Sequence, residues 1–482
     1  MPDGVKNRRY VLKVGIGLGI MLVFWLLPVA APLTPAGMRV IGIFLGTIWF
    51  YSTCALTWPS LLAIMLLGLS GAFASVDEVA GALFSNSVVF QMIIIMAICE
   101  GLRRSNAISQ MARLLVFNRA VYSRPLLFTL LFLLIFFALG ILLGIIPTIV
   151  IAYMVLDDVL GTLGFPAQST YREHMLVALF LAACLGGAVF PSRGIMGVMF
   201  GALTTAVGES VRPDLYSALT LALGTATIAL MAVLIRYAPK SDIMQLKEVR
   251  RDLYPGARTP LTLQQKSLLG GLVSVVAVVF VEELVPSQSV AGQFLSSFGV
   301  TGMICLVAAA LAAVRVEGRP LLELGGCMRD GVPWSIIFAV GAMMCTSAAF
   351  SSQATGITEF LQRVLGGALW GLDPMPFIFV VVLMTVVISG FMSNYAVCVI
   401  MLNVALPISA AVGVSPLLLG IVIVFSSMLG ALSPGASGPA PLLYGRRDLS
   451  YPRIYKALLP FLAAYVLLAF ATVLVLNPIF IN

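Results

Sequence analysis

Two apolar stretches, 125–160 and 375–411, each run for about 36 residues. A helix needs only about 20 residues to cross the hydrocarbon core of a bilayer. Each stretch is therefore too long for one crossing and has glycine near its middle: Gly140 and Gly144 in the first, Gly390 in the second. That length suits two short helices folded back as a re-entrant hairpin better than one steeply tilted helix. Irregular backbone at membrane depth survives only where protein or a watery cavity surrounds it. The rest of the chain has the same character. It is 60% hydrophobic and only 10% charged, against about 25% charged in a soluble domain. Its mean hydropathy is +1.07. Apolar runs at 12–31, 37–54, 57–74, 84–102, 173–207, 215–237, 267–285, 298–314, 333–350, 415–443 and 456–477 predict further helices. The runs are continuous rather than alternating, which excludes a transmembrane β-barrel. The expectation is an all-α polytopic membrane protein with about 11 transmembrane helices and two re-entrant helical hairpins.

Charge supports this count. With a cytoplasmic N-terminus and both long runs re-entrant, 24 of the 28 basic residues fall on the inner side. They include Arg103, Arg104, Arg172, Arg329, Arg446 and Arg453; only Arg39, Arg212 and Arg363 fall outside, and Arg193 falls within the membrane. Counting either hairpin as a single crossing inverts every later loop and destroys the asymmetry that the positive-inside rule requires. The C-terminus is then outside. The net charge of +8 reads as this bias rather than as affinity for nucleic acid. The start, MPDGVKNRRYVLK before an apolar run, resembles a signal peptide, but so many spans follow that it reads as a retained first helix. Two amphipathic segments, 105–118 and 354–366, each precede a long run and are expected to lie at the membrane surfaces.

The order of elements occurs twice. The expected division is 1–36 for the tail and first helix, 37–238 for a first repeat, 239–266 for a cytoplasmic linker and 267–482 for a second, inverted repeat. GAVFPSRG (187–194) resembles GALSPGASG (430–438), and LLGIIPTIVIAYMVL resembles FMSNYAVCVIMLNVAL, so that Gly144 faces Ser393 and Pro191 faces Pro434. Inverted repeats of this kind place the binding site near the midplane, between paired broken helices.

The polar residues inside these apolar runs are few. Ser393 and Asn394 sit where the second arm of the second hairpin begins, where free N–H groups suit an anion and hydroxyl, amide and carbonyl oxygens suit a small cation; they also suit a plain helix cap. The run Ser433-Pro434-Gly435-Ala436-Ser437-Gly438 cannot continue a helix well and leaves carbonyls free. Arg193 has no charge within fifteen residues on either side, and a buried Arg costs at least about 2.5–3.5 kcal/mol to insert. It is suited to pair with an anion or to stand in for a bound cation. Asp157 and Asp158 fall toward the inner end of the first hairpin, where a solvated or gating role fits. The seven cysteines have no metal-type spacing and His174 is the only histidine, which argues against a metal site or triad. No cluster of Asp, Glu, His or Lys marks an enzyme, and no cofactor is called for.

On these residues the chain resembles the divalent anion:sodium symporter family. SNYAVCVIMLNVALPI (393–408) is similar to that family's second Ser-Asn-Thr signature, and LSPGASGPAPLLYG (432–445) to its second helix break. SNSVVFQMIIIMAICEGLRRSN (85–106) and VPWSIIFAVGAMMCTSAAF (332–350) resemble the helices before the hairpins. The resemblance implies an elevator-type secondary carrier of di- or tricarboxylates or sulfate, sodium-coupled and dimeric, in a bacterial inner membrane. It departs from the family pattern at Tyr395, where Thr is expected, and at Gly144-Ile145-Ile146, where the first signature has no side-chain oxygen. It departs again at Pro191-Ser192-Arg193, where Thr and Pro are expected. The expected substrate site is Arg193, Ser192, Gly144, Ser393, Asn394 and Tyr395. The expected cation site is Ser393, Asn394, Ser433, Gly435 and Ser437, with sodium at Ser393, Asn394 and Ser437. Proton coupling, exchange, or an anion channel are the other readings. The expected partners are a small anion, the lipid bilayer and a second copy in a homodimer, with no nucleic acid.

Overall fold

The structure is a computed structural model and describes residues 3–29, 31–85, 87–106, 124–166, 168–191, 194–208, 211–238, 242–247, 262–284, 289–316, 318–446 and 448–481. Among them the only strand pairing is a two-residue antiparallel ladder, Arg315–Val316 with Arg319–Pro320. Everything else regular is helix, so the fold is all-α. Among the described residues four helices are long and apolar enough to cross a membrane: Pro125–Leu143, Pro213–Tyr237, Asn394–Ala411 and the last helix, Tyr451–Ile481. Two bent helix pairs raise this to six, and shorter apolar helices such as Thr57–Leu69 and Pro416–Ser427 accompany them.

Helix starts follow local chemistry. Pro35, Pro125, Pro213, Pro374 and Pro416 each occupy the first turn of a helix, where a missing N–H costs nothing. Thr34, Ser75, Ser169 and Ser415 cap helices with side-chain oxygens, satisfying otherwise orphaned N–H groups.

Each long run is two helices. In the first, Gly144 alone separates Pro125–Leu143 from Ile145–Thr162. Its φ of 80° and ψ of 178° suit glycine and end the first helix. Both arms pack on the helix Thr170–Gly187, and their contacts fix direction. Thr129 meets Tyr171 by hydroxyl contact at 2.9 Å, and Gly140 approaches the Ala183 carbonyl, so the first arm runs parallel to 170–187. Asp157 binds Arg172 at 2.7 Å, and Ile145 lies against Gly187, so the second arm runs antiparallel to it. The two arms are thus antiparallel to each other, and 125–162 is a hairpin with its tip at Gly144. Gly140 does not break the helix. It is the site where two backbones touch, opposite Gly186.

The second run behaves alike. Pro374–Ser389 and Asn394–Ala411 are joined by Gly390–Ser393. Asn394 reaches Met428 at 3.6 Å, while Leu402 and Leu406 pack against Gly420, so 394–411 runs antiparallel to Pro416–Ser427. The other arm has Ser389 beside Gly430 and Phe379 edge-on to Phe470 at 5.7 Å. The last helix is antiparallel to 416–427, since Tyr455, Tyr465 and Asn477 bond Leu432, Ser426 and Ser415 in turn. Phe379 therefore lies level with the middle of the 416–427 helix and Ser389 just past its end, and this arm is parallel to it.

The predicted surface segment 354–366 is the helix Ile357–Leu369. Most of its counterpart, 105–118, lies outside the described residues, as does most of the linker 239–266. Two short helices were not foreseen. Val76–Phe84 starts at a reciprocal cap, Ser75 Oγ accepting from Glu78 N and Glu78 Oε2 from Ala74 N, a pattern readable in the sequence. Leu324–Gly331 precedes Trp334–Phe350 at a bend of 73°.

Basic residues assigned to one side by the charge count do meet in space. Arg104 bridges Glu100, Glu323 and Asp330. Farther along the chain, Asp157 and Asp448 are each shared by Arg172 and Arg446, at 2.7–3.2 Å, and Arg446 lies 5.2 Å over the Tyr153 ring. Arg453 bonds Glu173 at 2.8 Å. Asp157 is therefore a crosslink between the first hairpin and residues after the second helix break. Burial by itself raises the Asp448 carboxyl, but hydrogen bonding to Arg446 and the charge of Arg172 outweigh it and hold Asp448 below its ordinary range. A depressed carboxylate stabilises the fold above its unfolded pKa, about 3.9, and loses that only as pH falls through the lower folded value, so the crosslink stays closed at neutral and mildly acidic pH. Replacing Arg446 with alanine removes one of two partners from each Asp. The expected loss is roughly 2 kcal/mol, less than the 3–5 of a fully buried broken pair because Arg172 remains. A thermal-denaturation midpoint in detergent unchanged from wild type would contradict it.

Candidate functional site

The broken helix of the second half sets the site. Its helix 416–427 stops and the next, Ala440–Tyr444, begins only after Met428–Pro439. The run of small residues with Pro434 leaves carbonyls without intrahelical donors, and side chains take them up. Ser437 Oγ donates to Gly430 O at 2.8 Å, Tyr444 OH to Ala431 O at 2.6 Å and Tyr455 OH to Leu432 O at 2.7 Å. The first half repeats the device after Gly187. Tyr216 OH donates to Ala188 O at 3.0 Å and Ser217 Oγ to Val189 O at 3.1 Å.

Asn394 opens the second arm of its hairpin and is buried. Its Nδ2 faces the Met428 sulfur at 3.6 Å, while its Oδ1 has no hydrogen-bond partner among the described residues. That oxygen points at Gly430. A Cβ placed on Gly430 would lie 2.5 Å from Asn394 Oδ1, 2.6 Å from Ser389 O and 3.3 Å from Ala436 O. Asn394 Oδ1, Ser389 O and Ala436 O thus converge on the Gly430 backbone, beside the bond from Ser437 Oγ to Gly430 O. An unpaired buried amide oxygen costs about 1–3 kcal/mol, so Asn394 Oδ1 is suited to receive a donor or a cation. Hard oxygen donors of this kind, hydroxyl, amide and carbonyl, fit Na+. Among the described residues no group of His, Cys, Asp and Glu is arranged to hold a metal.

The two hairpin tips and both helix breaks line one cavity of about 480 Å³. Gly144, Ser393, Asn394 and Ser437 all lie on its wall. Other helices complete the lining, through Gln91 of 87–104 and Met344 and Ser347 of 334–351. Gln91 is held in place by donating to Thr301 Oγ1 at 2.7 Å.

The remaining predicted residues fall elsewhere. Tyr395 is not on the wall and packs against the apolar core. Ser433 is buried with its Oγ unpartnered among the described residues, off the cavity. Gly435 is packed against Phe44 and Met343. Ser192 and Arg193 lie outside the described residues, between Phe190 and Ile195, which both line the cavity. Sequence reasoning missed Gly430, Ser389 and Ala436, because they contribute backbone. It also missed Gln91, although a lone amide in an apolar run was a usable signal.

A family model described as the sodium:sulfate symporter transmembrane region matches residues 9–476, nearly the whole chain. No curated protein sequence matches it.

Proposed function

Because the chain belongs to the divalent anion:sodium symporter family, whose members are secondary transporters of anions and not enzymes, we propose that it carries its anion by an elevator-type movement with one sodium. The observation that carries this reading is the oxygen cluster at Asn394 beside a cavity shared by both hairpin tips. The sodium is held by Asn394 Oδ1 and Ser437 Oγ with the carbonyls of Ser389, Gly430 and Ala436, and Ser393 lies next to it. The anion occupies the adjoining cavity, with Arg193 as its charge partner on the sequence grounds given above. The lining residues Gln91 and Met344 belong to the stationary frame. The hairpins and broken helices form the body that moves.

The same reading includes 11 crossings, an inverted repeat of 37–238 and 267–482, a cytoplasmic N-terminus, an external C-terminus and a homodimer in a bacterial inner membrane. The crosslink of Asp157 and Arg172 to Arg446 and Asp448 supports joint movement of the two halves' hairpin and broken helix. The asymmetry between tips is part of the proposal. The second offers Ser393 and Asn394, while the first offers Gly144 and no side-chain oxygen, so one sodium site is lost and Arg193 takes over its charge.

Counterflow in proteoliposomes tests the reading. A carrier exchanges labelled for unlabelled anion faster than it moves net anion, and exchange should rise with sodium. Arg193→Ala should remove uptake. Net flux as fast as exchange indicates a channel, and unchanged uptake with unchanged ion dependence in Arg193→Ala overturns the role given to that residue.

A further inference from the structure

We propose that Gln91 is a substrate-binding residue supplied by the stationary frame, and that its amide holds the anion on one side of the membrane only. This rests on the carrier reading above and deepens it. The first observation is a helix face. In Ser87–Arg104 every residue from Val88 to Cys99 except Gln91 is apolar, and an amide in such a run is costly unless it is bonded. Gln91, Ile95 and Ile98 are spaced i, i+4, i+7 and so share one face. Ile95 and Ile98 close on Leu143 and Pro147 of the first hairpin and on Ile304 and Val307 of the helix Val290–Ala313, with a void of only about 10 Å³ between them. Gln91 is the polar end of this apolar seam, and it stands on the wall of the large cavity.

The second observation is what holds the amide. Gly299, at φ 54° and ψ −175°, interrupts Val290–Ala313 in a conformation that suits glycine. Thr301 follows just after this break, and its Oγ1 accepts from Gln91 Nε2 at 2.7 Å. Among the described residues that is the only hydrogen bond of the Gln91 side chain. An amide nitrogen carries two hydrogens and its oxygen accepts, so one N–H and Oε1 are left for whatever fills the cavity.

The third is the supply of donors. No lining residue among those described is an acid or a base, so on that wall neutral donors meet an anion. Ser437 gives its proton to Gly430 O, and Asn394 Nδ2 faces the Met428 sulfur. Gln91 adds an N–H that nothing else on the described wall uses. A hydrogen bond to a charged group is stronger than one between neutral partners.

Sidedness follows from where the parts are mounted. Ser393 and Asn394 travel with the second hairpin, whereas Gln91 is tied to Thr301. A movement that carries the tips away from 87–104 takes the anion away from Gln91. A contact made in one end state alone raises affinity in that state alone.

The test uses the full chain in right-side-out and inverted membrane vesicles with sodium on both sides, and labelled succinate and sulfate as probes. For whichever anion the wild type takes up, Gln91→Leu should raise the half-saturating concentration about 10-fold in one vesicle orientation, the size of one lost bond to a charged group. In the other orientation it should leave that value unchanged. Leucine suits a membrane helix, and an anion-free denaturation midpoint near that of the wild type checks the fold. Gln91→Met repeats the measurement with the length of the side chain kept. Gln91→Glu keeps the shape and still accepts from the Thr301 hydroxyl, but it sets a carboxylate against the anion, so it should raise the same value further than leucine does. A residue that merely joined two frame helices would give the reverse order. Equal shifts in both orientations, no shift in either, or a milder effect of Glu than of Leu overturns this inference and leaves the carrier reading standing. No uptake of either anion by the wild type in either orientation sinks the carrier reading and this inference together.

Discussion

Asn394→Ala is expected to abolish sodium-dependent uptake while leaving the protein folded. The reason lies in what its side chain bonds. Oδ1 is buried and has no partner among the described residues, and Nδ2 faces only a thioether, a weak acceptor. Removing the amide therefore breaks no strong bond within the fold. It removes one of the oxygens around the proposed sodium. A contact to a charged group is worth up to roughly 3 kcal/mol, or about 100-fold in sodium affinity. Two measurements together check this. Added sodium should raise the denaturation midpoint of the wild type but not of Asn394→Ala, as binding to the native state requires, and the two midpoints without sodium should nearly coincide. A variant that keeps the sodium-dependent rise would show that the ion binds elsewhere.

Gly186→Leu is expected to give no folded protein at all. Gly186 lies where the helix 170–187 touches the first arm of the first hairpin. A Cβ there would overlap the Phe137 carbonyl and stand 3.0 Å from the Gly140 Cα. The obstacle is backbone on both sides, with no flexible side chain to move away. In membranes such small-residue contacts let helices approach closely and supply much of the packing that holds them together. Overpacking costs about 1–3 kcal/mol for modest additions, so Gly186→Ala should be weakened by that amount and Gly186→Leu by more. Yield of monodisperse protein after extraction, and the midpoint for the alanine variant, are the readouts. Gly201→Ala is the control, since a Cβ there meets nothing within 4 Å. Equal yields from Gly186→Leu and Gly201→Ala would show that the contact does not hold the helices.

The sequence was most legible where length and hydropathy decide the outcome. The long runs had to bend because no bilayer accommodates 36 residues in one crossing, and both do so at the predicted places, Gly144 and Gly390–Ser393. Ser393, Asn394 and Ser437 stood out because a polar residue in lipid-like surroundings needs a reason. The backbone share of the oxygen cluster was illegible, because any residue has a carbonyl and only the fold decides which ones converge. Tyr395 misled because adjacency to Asn394 in sequence puts it on another face of the helix, about 100° away. The Asp157 crosslink was invisible for a different reason. Asp157 and Arg446 are 289 residues apart and Arg172 and Asp448 are 276, and separation of that size leaves no local trace.

The crosslink is at the root of the first hairpin, and the tip lies some 13 residues away, about 20 Å along a helix. The hairpin is thus clamped by four charges at its root and lies along the helix 170–187 up to its tip, where Gly144 itself has open space where a side chain would be. A lineage could therefore exchange tip residues, and with them the cargo, while the clamp goes on holding the fold, so that innovation in what is carried and conservation of the machine that carries it fall on opposite ends of one element.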